Sequence, residues 1–393
     1  MFITAKAQEA EETESEENIV MKLMGYKREN GRYGIRNHLL IIPASVCSSE
    51  TAVNIAKLVD GAIAIPHQHG CCEIGDDFDT TKRTLVGFGK NPNVGAVLVV
   101  GLGCEGIQAK DIADEIKTTG KPVEYIVIQE EGGTAKTVSK GVEIAGKMAR
   151  EISKQNKVEF DISEIILGLE CGGSDPTSGL ASNPSIGVAS DMLVSMGGSS
   201  ILSETTEVIG AEHLLYPRFE DENEGKKFLE MVKRVENRSI AAGHDLREGQ
   251  PTPGNKAGGL TTIEEKSLGC MHKAGHSPFK GTLEYAEELP TNKKGLYFMD
   301  TPGQDIDSIT GMVAGGAQVI VFSTGRGTPT GSPIAPVIKI TGNSSTYNNM
   351  IDNIDINAGK IITEGVKLNE LGQELFDKIV DVCNGEMPKA EAL

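Results

Sequence analysis

"NVGAVLVVGLGCEG", residues 93–106, runs from an apolar stretch into a glycine-rich turn that carries a cysteine and a glutamate. A continuous apolar run this short, ended by glycines, predicts a strand buried on both faces, as in a parallel sheet. The same grammar recurs on either side. "HLLIIPAS" (38–45) and "GAIAIP" (61–66) are apolar runs of the same kind, and "KPVEYIVIQEEGGT" (121–134) is a fourth. Between them lie helical patterns: "SSETAVNIAKLVDG", "DDFDTTKRTLVGFGK" with carboxylates at its start, and "TAKTVSKGVEIAGKMAREISKQ". Strand, glycine turn and helix in alternation predict a parallel sheet covered by helices.

The polar stretch "SKQNKVEFD" (153–161) interrupts the scheme, which then restarts. "SEIILGLECGGSDPTSG" (163–179) echoes the opening stretch, with Cys171 and Glu170 at the end of an apolar run. "KKGLYFMDTPG", "AQVIVFSTGRGTPTG" and "APVIKITGN" supply three more strands. The fold class expected is α/β, with two Rossmann- or flavodoxin-like domains built on mainly parallel sheets. Their bounds are 22–157 and 158–393, after a disordered acidic tail over 1–21. Residues 1–18 of that tail hold six glutamates and one lysine. A chain of 393 residues exceeds what one hydrophobic core serves, which also favours two domains. Residues 247–283 are rich in Gly, Pro and Lys with little periodicity, as functional loops often are.

The net charge of −18 excludes non-specific nucleic-acid binding, which needs basic surface. No apolar run approaches the ~20 residues needed to span a bilayer, and no secretory pattern opens the chain. A cytoplasmic protein with no nucleic acid and no membrane partner is expected. Its seven scattered cysteines are expected as reduced thiols.

Reactive side chains concentrate in "IPHQHGCCEIGDD" (65–77). His67, His69 and Cys71 suit iron or zinc, yet the stretch has no C-x₂-C pair or H-E-x-x-H spacing. Two readings stand: a metal or catalytic site, or a loop whose histidines hydrogen-bond backbone while Cys71 packs inside. Cys104 and Cys171 each read singly as core residues, but three cysteine turns at strand ends favour convergence on one pocket. Glycines beside them let backbone N–H groups approach an anion. Arg326 in "STGRGTPTG" (323–331) can hold a carboxylate bidentately. Lys256 and Lys266, in "GNKAGGLTTIEEKSLG" (254–269), are further polar candidates.

Taken together these phrases, with "GYKRENGRYGIRNHLLIIP", "ETTEVIGAEHLL", "DTPGQD" and "IDINAG", resemble the altronate/galactarate dehydratase family over residues 22–390. The resemblance implies a hydro-lyase that removes water from altronate, or a similar aldonate or aldarate, to give a 2-keto-3-deoxy acid. It implies Fe(2+) or another divalent metal, with Mn or Mg as options, and His67, His69, Cys71, Cys104 and Cys171 as its candidate ligands. His67, His69, Lys266 and Arg326 are the catalytic candidates. Substrate-binding candidates are Gly172, Gly173, Ser174 and Asp175 after one strand, and Gly325, Gly327 and Thr328 after another. Asn255 and Lys256 complete that set. Family members normally carry a small SAF-type domain ahead of this region, which implies a separate small SAF-domain subunit as partner. A homo-oligomer and a small-molecule sugar acid are the other expected partners. The alternatives are a sulfolactate sulfo-lyase large subunit, which eliminates sulfite, and a non-catalytic sugar-acid-binding protein.

Overall fold

The computed structural model describes residues 21–392; the acidic tail expected over 1–21 lies, apart from Met21, outside them. The chain enters through β1 (Lys22–Lys27) and β2 (Tyr33–Gly34). A four-stranded sheet follows, made of β3 (His38–Pro43), β4 (Ala62–Ala64), β5 (Val94–Gly101) and β6 (Val123–Val127). Its order is β4-β3-β5-β6 and every pairing is parallel. All eight residues of β5 are buried, as its continuous apolar run requires of a strand covered on both faces.

β7 (Val158–Asp161) falls inside the polar stretch that separates the two halves, and it pairs antiparallel with β1. Nothing in its periodicity marked it as a strand; its partner lies more than a hundred residues away, so pairing decides it. The second sheet holds β8 (Ile166–Gly172), β9 (Ser199–Leu202), β10 (Phe279–Leu283), β11 (Leu296–Met299), β12 (Val319–Thr324), β13 (Val337–Thr341) and β14 (Ile356–Asn357). Its order is β10-β11-β9-β8-β12-β13-β14, again parallel throughout.

The two halves share apolar packing. Helix Asp76–Lys90 of the first lies against helix Asp305–Ala314 of the second, so closely that a Cβ on Gly87 would fall 2.4 Å from the Ala314 carbonyl oxygen. Asn93, just before β5, donates through Nδ2 to the carbonyls of Gln318 and Ile334, just before β12 and β13. The end of helix Asp76–Lys90 is capped by a lysine from outside it: Lys121, a buried residue, donates through Nζ to the carbonyls of Gly89, Lys90 and Asn91.

Strand order reverses between β3 and β5 in the first sheet and between β8 and β12 in the second. Open α/β sheets bind ligands in the crevice beyond the carboxyl ends of strands at such reversals. The chain therefore has two such places, and both are furnished with reactive side chains.

Candidate active site

At the second reversal, the turns after β8 and β12 are locked together. Arg326 N–H donates to Gly173 O at 3.0 Å. Asp175, buried after β8, accepts from Asn343 Nδ2 at 3.1 Å, and Gly325 must be glycine because a Cβ there would lie 2.5 Å from the Asp175 carboxyl carbon. Asn255 Nδ2 donates to Ser174 O at 2.9 Å and is held by a capping box with Thr252. Gly327, at φ +86°, donates its N–H to Thr324 Oγ1, and Thr328 Oγ1 bonds Thr330 Oγ1. Gly172, Gly173, Ser174, Asp175, Asn255, Gly325, Gly327 and Thr328 thus lie in turns that hydrogen bonds and close contacts tie to one another. Arg326 is exposed beside them, and Lys256 is exposed on the short helix Pro253–Ala257.

Beneath these turns lies a buried ionic network. Lys266 and Cys270 belong to helix Ile263–Cys270, capped by Thr262, and Lys273 follows in its 3₁₀ continuation. Spacings of four and three place all three on one face. Lys266 Nζ lies 2.6 Å from Glu207 and 3.1 Å from Gln250 Oε1. Lys273 Nζ donates to Glu204 Oε2 and to Cys171 Sγ, each at 2.8 Å. The Cys171 S–H donates to Glu207 Oε2 at 2.7 Å, with Cys270 Sγ 3.5 Å away. Glu170, wholly enclosed, accepts from Ser308 Oγ at 2.6 Å.

Burial raises Glu170 well above the ordinary carboxylate range, and the neighbouring Glu204 charge raises it further. Glu204 is pushed up to about 7 by burial and then by Glu207, against the pull of Lys273. Burial would raise Glu207 as well, but the Lys266 and Lys273 ammoniums overcome it and hold this carboxyl low. Lys266, in turn, is held protonated by Glu207 despite its burial. It therefore offers a hydrogen-bond donor at neutral pH, not a base. Glu204 also sits at φ +70°, a left-handed conformation that costs a non-glycine residue free energy and marks functional sites.

Residues that could hold a metal can be tested on this geometry. Oxygens of Glu170, Glu204 and Asp305 come within 4.8 Å of one another. Glu170 Oε1 and Glu204 Oε1 are buried without a hydrogen-bond partner, although a buried polar atom left unsatisfied is costly. Gly172 leaves the space that Asp305 fills, since a Cβ would meet Asp305 Oδ2 at 2.3 Å. An all-oxygen set suits a hard divalent ion such as magnesium or manganese, and the unsatisfied oxygens fit one. Cys171, Glu207 and Cys270 are as close together. That trio fits poorly, because the Cys171 sulfur already accepts from an ammonium and gives its proton to Glu207.

The five residues expected as one metal set do not share a place. Cys171 is enclosed in the second half, among Glu207, Cys270 and Lys273. His67, His69, Cys71 and Cys104 stand at the first reversal. There, His67 has neither ring nitrogen free: Nε2 meets Pro43 O at 2.8 Å and Nδ1 accepts from His69 N–H at 3.1 Å. In this position it braces the loop and does not face a metal. His69 Nδ1 is 3.2 Å from Glu73, and Cys71 is exposed instead of packed inside. The sequence reading passed over Cys47, Glu204, Glu207, Cys270, Lys273 and Asp305. The Lys266–Cys270–Lys273 spacing was the one available signal, masked because residues 247–283 read as a loop.

A doubly wound α/β chain with a buried network of perturbed lysine, glutamate and cysteine groups at a strand-order reversal has the features of an enzyme site. The chain belongs to the D-galactarate/altronate dehydratase family, and it is an enzyme of the lyase class. Residues 25–153 match the model described as "D-galactarate dehydratase/Altronate hydrolase, second domain", and residues 162–393 match "D-galactarate/Altronate dehydratase, C-terminal". It is 38% identical to the (2R)-sulfolactate sulfo-lyase subunit beta of Chromohalobacter salexigens, over 94% of each chain. It is 34% identical to the altronate dehydratase of Bacillus subtilis, over 96% of this chain and 76% of that one. With the galactarate dehydratase (L-threo-forming) of Escherichia coli it shares 36% identity, over 92% of this chain and 72% of the relative. Among the described residues no helix is long and apolar enough to cross a membrane.

Proposed function

We propose that the chain is the large subunit of a cytoplasmic, metal-dependent hydro-lyase acting on altronate or a similar aldonate or aldarate. It works as a homo-oligomer with a separate small SAF-domain subunit. The observation that carries this reading is the pair of unpartnered buried oxygens, Glu170 Oε1 and Glu204 Oε1, placed with Asp305 at the carboxyl end of the second sheet. Elimination removes the proton at C2, forms the C2–C3 double bond and expels the C3 hydroxyl, which takes up a proton and leaves as water; the enol then gains a proton at C3 and gives up its C2 hydroxyl proton to become the keto acid. A divalent ion held by Glu170, Glu204 and Asp305 would supply Lewis acidity for the enolate-like charge. Arg326 and the N–H groups of the Gly172–Ser174 turn hold the substrate carboxylate. Lys266, kept as an ammonium by Glu207, donates to the departing hydroxyl.

The test is a substrate screen on the chain combined with the small subunit and a divalent ion. Altronate, galactarate and sulfolactate are supplied in turn, and keto acid and sulfite are both assayed. Keto acid from a sugar acid is the expected result. Sulfite from sulfolactate would favour the second reading, a sulfo-lyase large subunit, which the match over 94% of the sulfo-lyase subunit's length supports. Turnover of none of them would leave a sugar-acid-binding protein. In the active enzyme, Arg326→Ala is expected to raise KM about tenfold or more while kcat changes little, as loss of a carboxylate clamp should. An unchanged KM would remove Arg326 from the substrate site.

A further inference from the structure

We infer that Cys47, Cys71 and Cys104, at the carboxyl end of the first sheet, bind an iron–sulfur cluster. Each comes from a different strand end. Cys47 follows β3, Cys71 follows β4 and Cys104 follows β5, and the reversal of strand order falls between β3 and β5. The chain around them is built to bring the three together. Val46 N–H donates to His69 O at 2.8 Å, tying the Cys47 segment to the Cys71 loop. Gly70, at φ +94°, presses so close to β3 that a Cβ would lie 2.2 Å from Ala44 O. A Cβ on Gly106, in the Cys104 turn, would stand 3.9 Å from Gly70 O.

The turns that carry the thiols are held by hydrogen bonds of their own. Cys47 occupies the first turn of the twelve-residue helix Val46–Lys57. Gln129 Nε2 donates to Cys104 Sγ at 3.7 Å. The Cys104 turn is fixed from below by Glu105, whose buried carboxylate accepts from Leu102 and Gly103 N–H. All three thiols are exposed and free of disulfides.

Spacing selects a cluster over one ion. Thiolates on a single tetrahedral metal stand about 3.8 Å apart, given metal–sulfur bonds of about 2.3 Å. Among the described residues, Cys171, Glu207 and Cys270 meet within 4.8 Å, while Cys47, Cys71 and Cys104 do not form such a group. A cluster gives each thiolate its own iron and so does not require the three sulfurs to meet on one metal. With three protein ligands, one iron of a four-iron cluster keeps an open position, which would supply Lewis acidity at this end of the molecule. The inference deepens the metal dependence proposed above but concerns a different half of the chain, so its test needs no turnover.

The full chain is purified without oxygen, reconstituted with iron(II) and sulfide, and analysed for iron, acid-labile sulfide, visible absorption and Mössbauer spectrum. About four irons and as many sulfides per chain are expected, with a broad visible band. Cys47→Ser, Cys71→Ser and Cys104→Ser should each lose the band and the sulfide, whereas Cys72→Ser keeps both. The metal-free serine variants should melt with the metal-free parent, because the replaced thiols are exposed. Iron bound without sulfide, or a band that survives Cys47→Ser, would overturn the assignment. A chain that loads the cluster yet eliminates nothing would refute the proposed reaction alone.

Discussion

Lys273→Met is expected to lower the stability of the chain by about 3–5 kcal/mol, the usual cost of removing one partner from a buried ion pair. Lys273 is 1% exposed, and its ammonium serves Glu204, Glu207 and the Cys171 sulfur at once. Methionine would fill much of the same space, so the loss comes from charge left without a partner and not from a cavity. Lys266 still faces Glu207 in the variant, which leaves Glu204 as the carboxylate most exposed to the change. Adding Glu204→Gln should therefore recover part of the loss, a coupling that denaturant unfolding of both single variants and the double variant measures directly. Lys256→Met, at an exposed position, should stay within about 0.5 kcal/mol of the parent. Equal unfolding midpoints for Lys273→Met and the parent would mean that the ammonium does not sit in this network.

The second large effect concerns divalent metal and pH together. Glu204 is raised to about 7 in the folded chain, chiefly by burial, from an ordinary value of 4.5. The folded metal-free protein then holds a proton that the unfolded chain releases between these values. The associated stability is fully present below pH 4.5 and is lost as pH rises through about 7. A shift of this size corresponds to roughly 3 kcal/mol. The metal-free chain is accordingly expected to melt lower at pH 8 than at pH 5.5. Magnesium, manganese or iron(II) should reverse that loss, because an ion on Glu170, Glu204 and Asp305 replaces the missing proton; at a hundred times its dissociation constant it contributes about 2.7 kcal/mol. Glu170→Gln and Glu204→Gln should abolish the metal-induced rise in melting temperature and reduce turnover by at least about a hundredfold. Calorimetry at the two pH values, with and without the ion, decides the matter. A melting temperature at pH 8 indifferent to every divalent ion would empty this carboxylate trio of its assigned role.

These expectations rest on side chains of very different legibility. β5 and β8 announced themselves, because apolar runs closed by glycine have few other ways to fold, and the parallel character of both sheets followed. The turns bearing Gly172–Asp175 and Gly325–Thr328 were each recognisable as turns for the same reason: each follows a buried strand. Helix Ala109–Lys117 and the long helix Leu368–Asn384 drew no notice beside those strands, though both pack one apolar face against the core.

What the sequence determined alone was local: where strands stop, which turns carry glycine, and that cysteine, acid and arginine stand at strand ends. Periodicity and turn chemistry act over a few residues, so they can be read without knowing the neighbours. Only the tertiary structure decided the partners. It sent Cys171 to Lys273 and Glu207, and tied the Cys47 segment to the Cys71 loop through Val46 and His69. It also engaged both ring nitrogens of His67 in bracing a loop. Those outcomes depend on strand order, and strand order is fixed by packing between segments far apart in the chain, which no local pattern encodes.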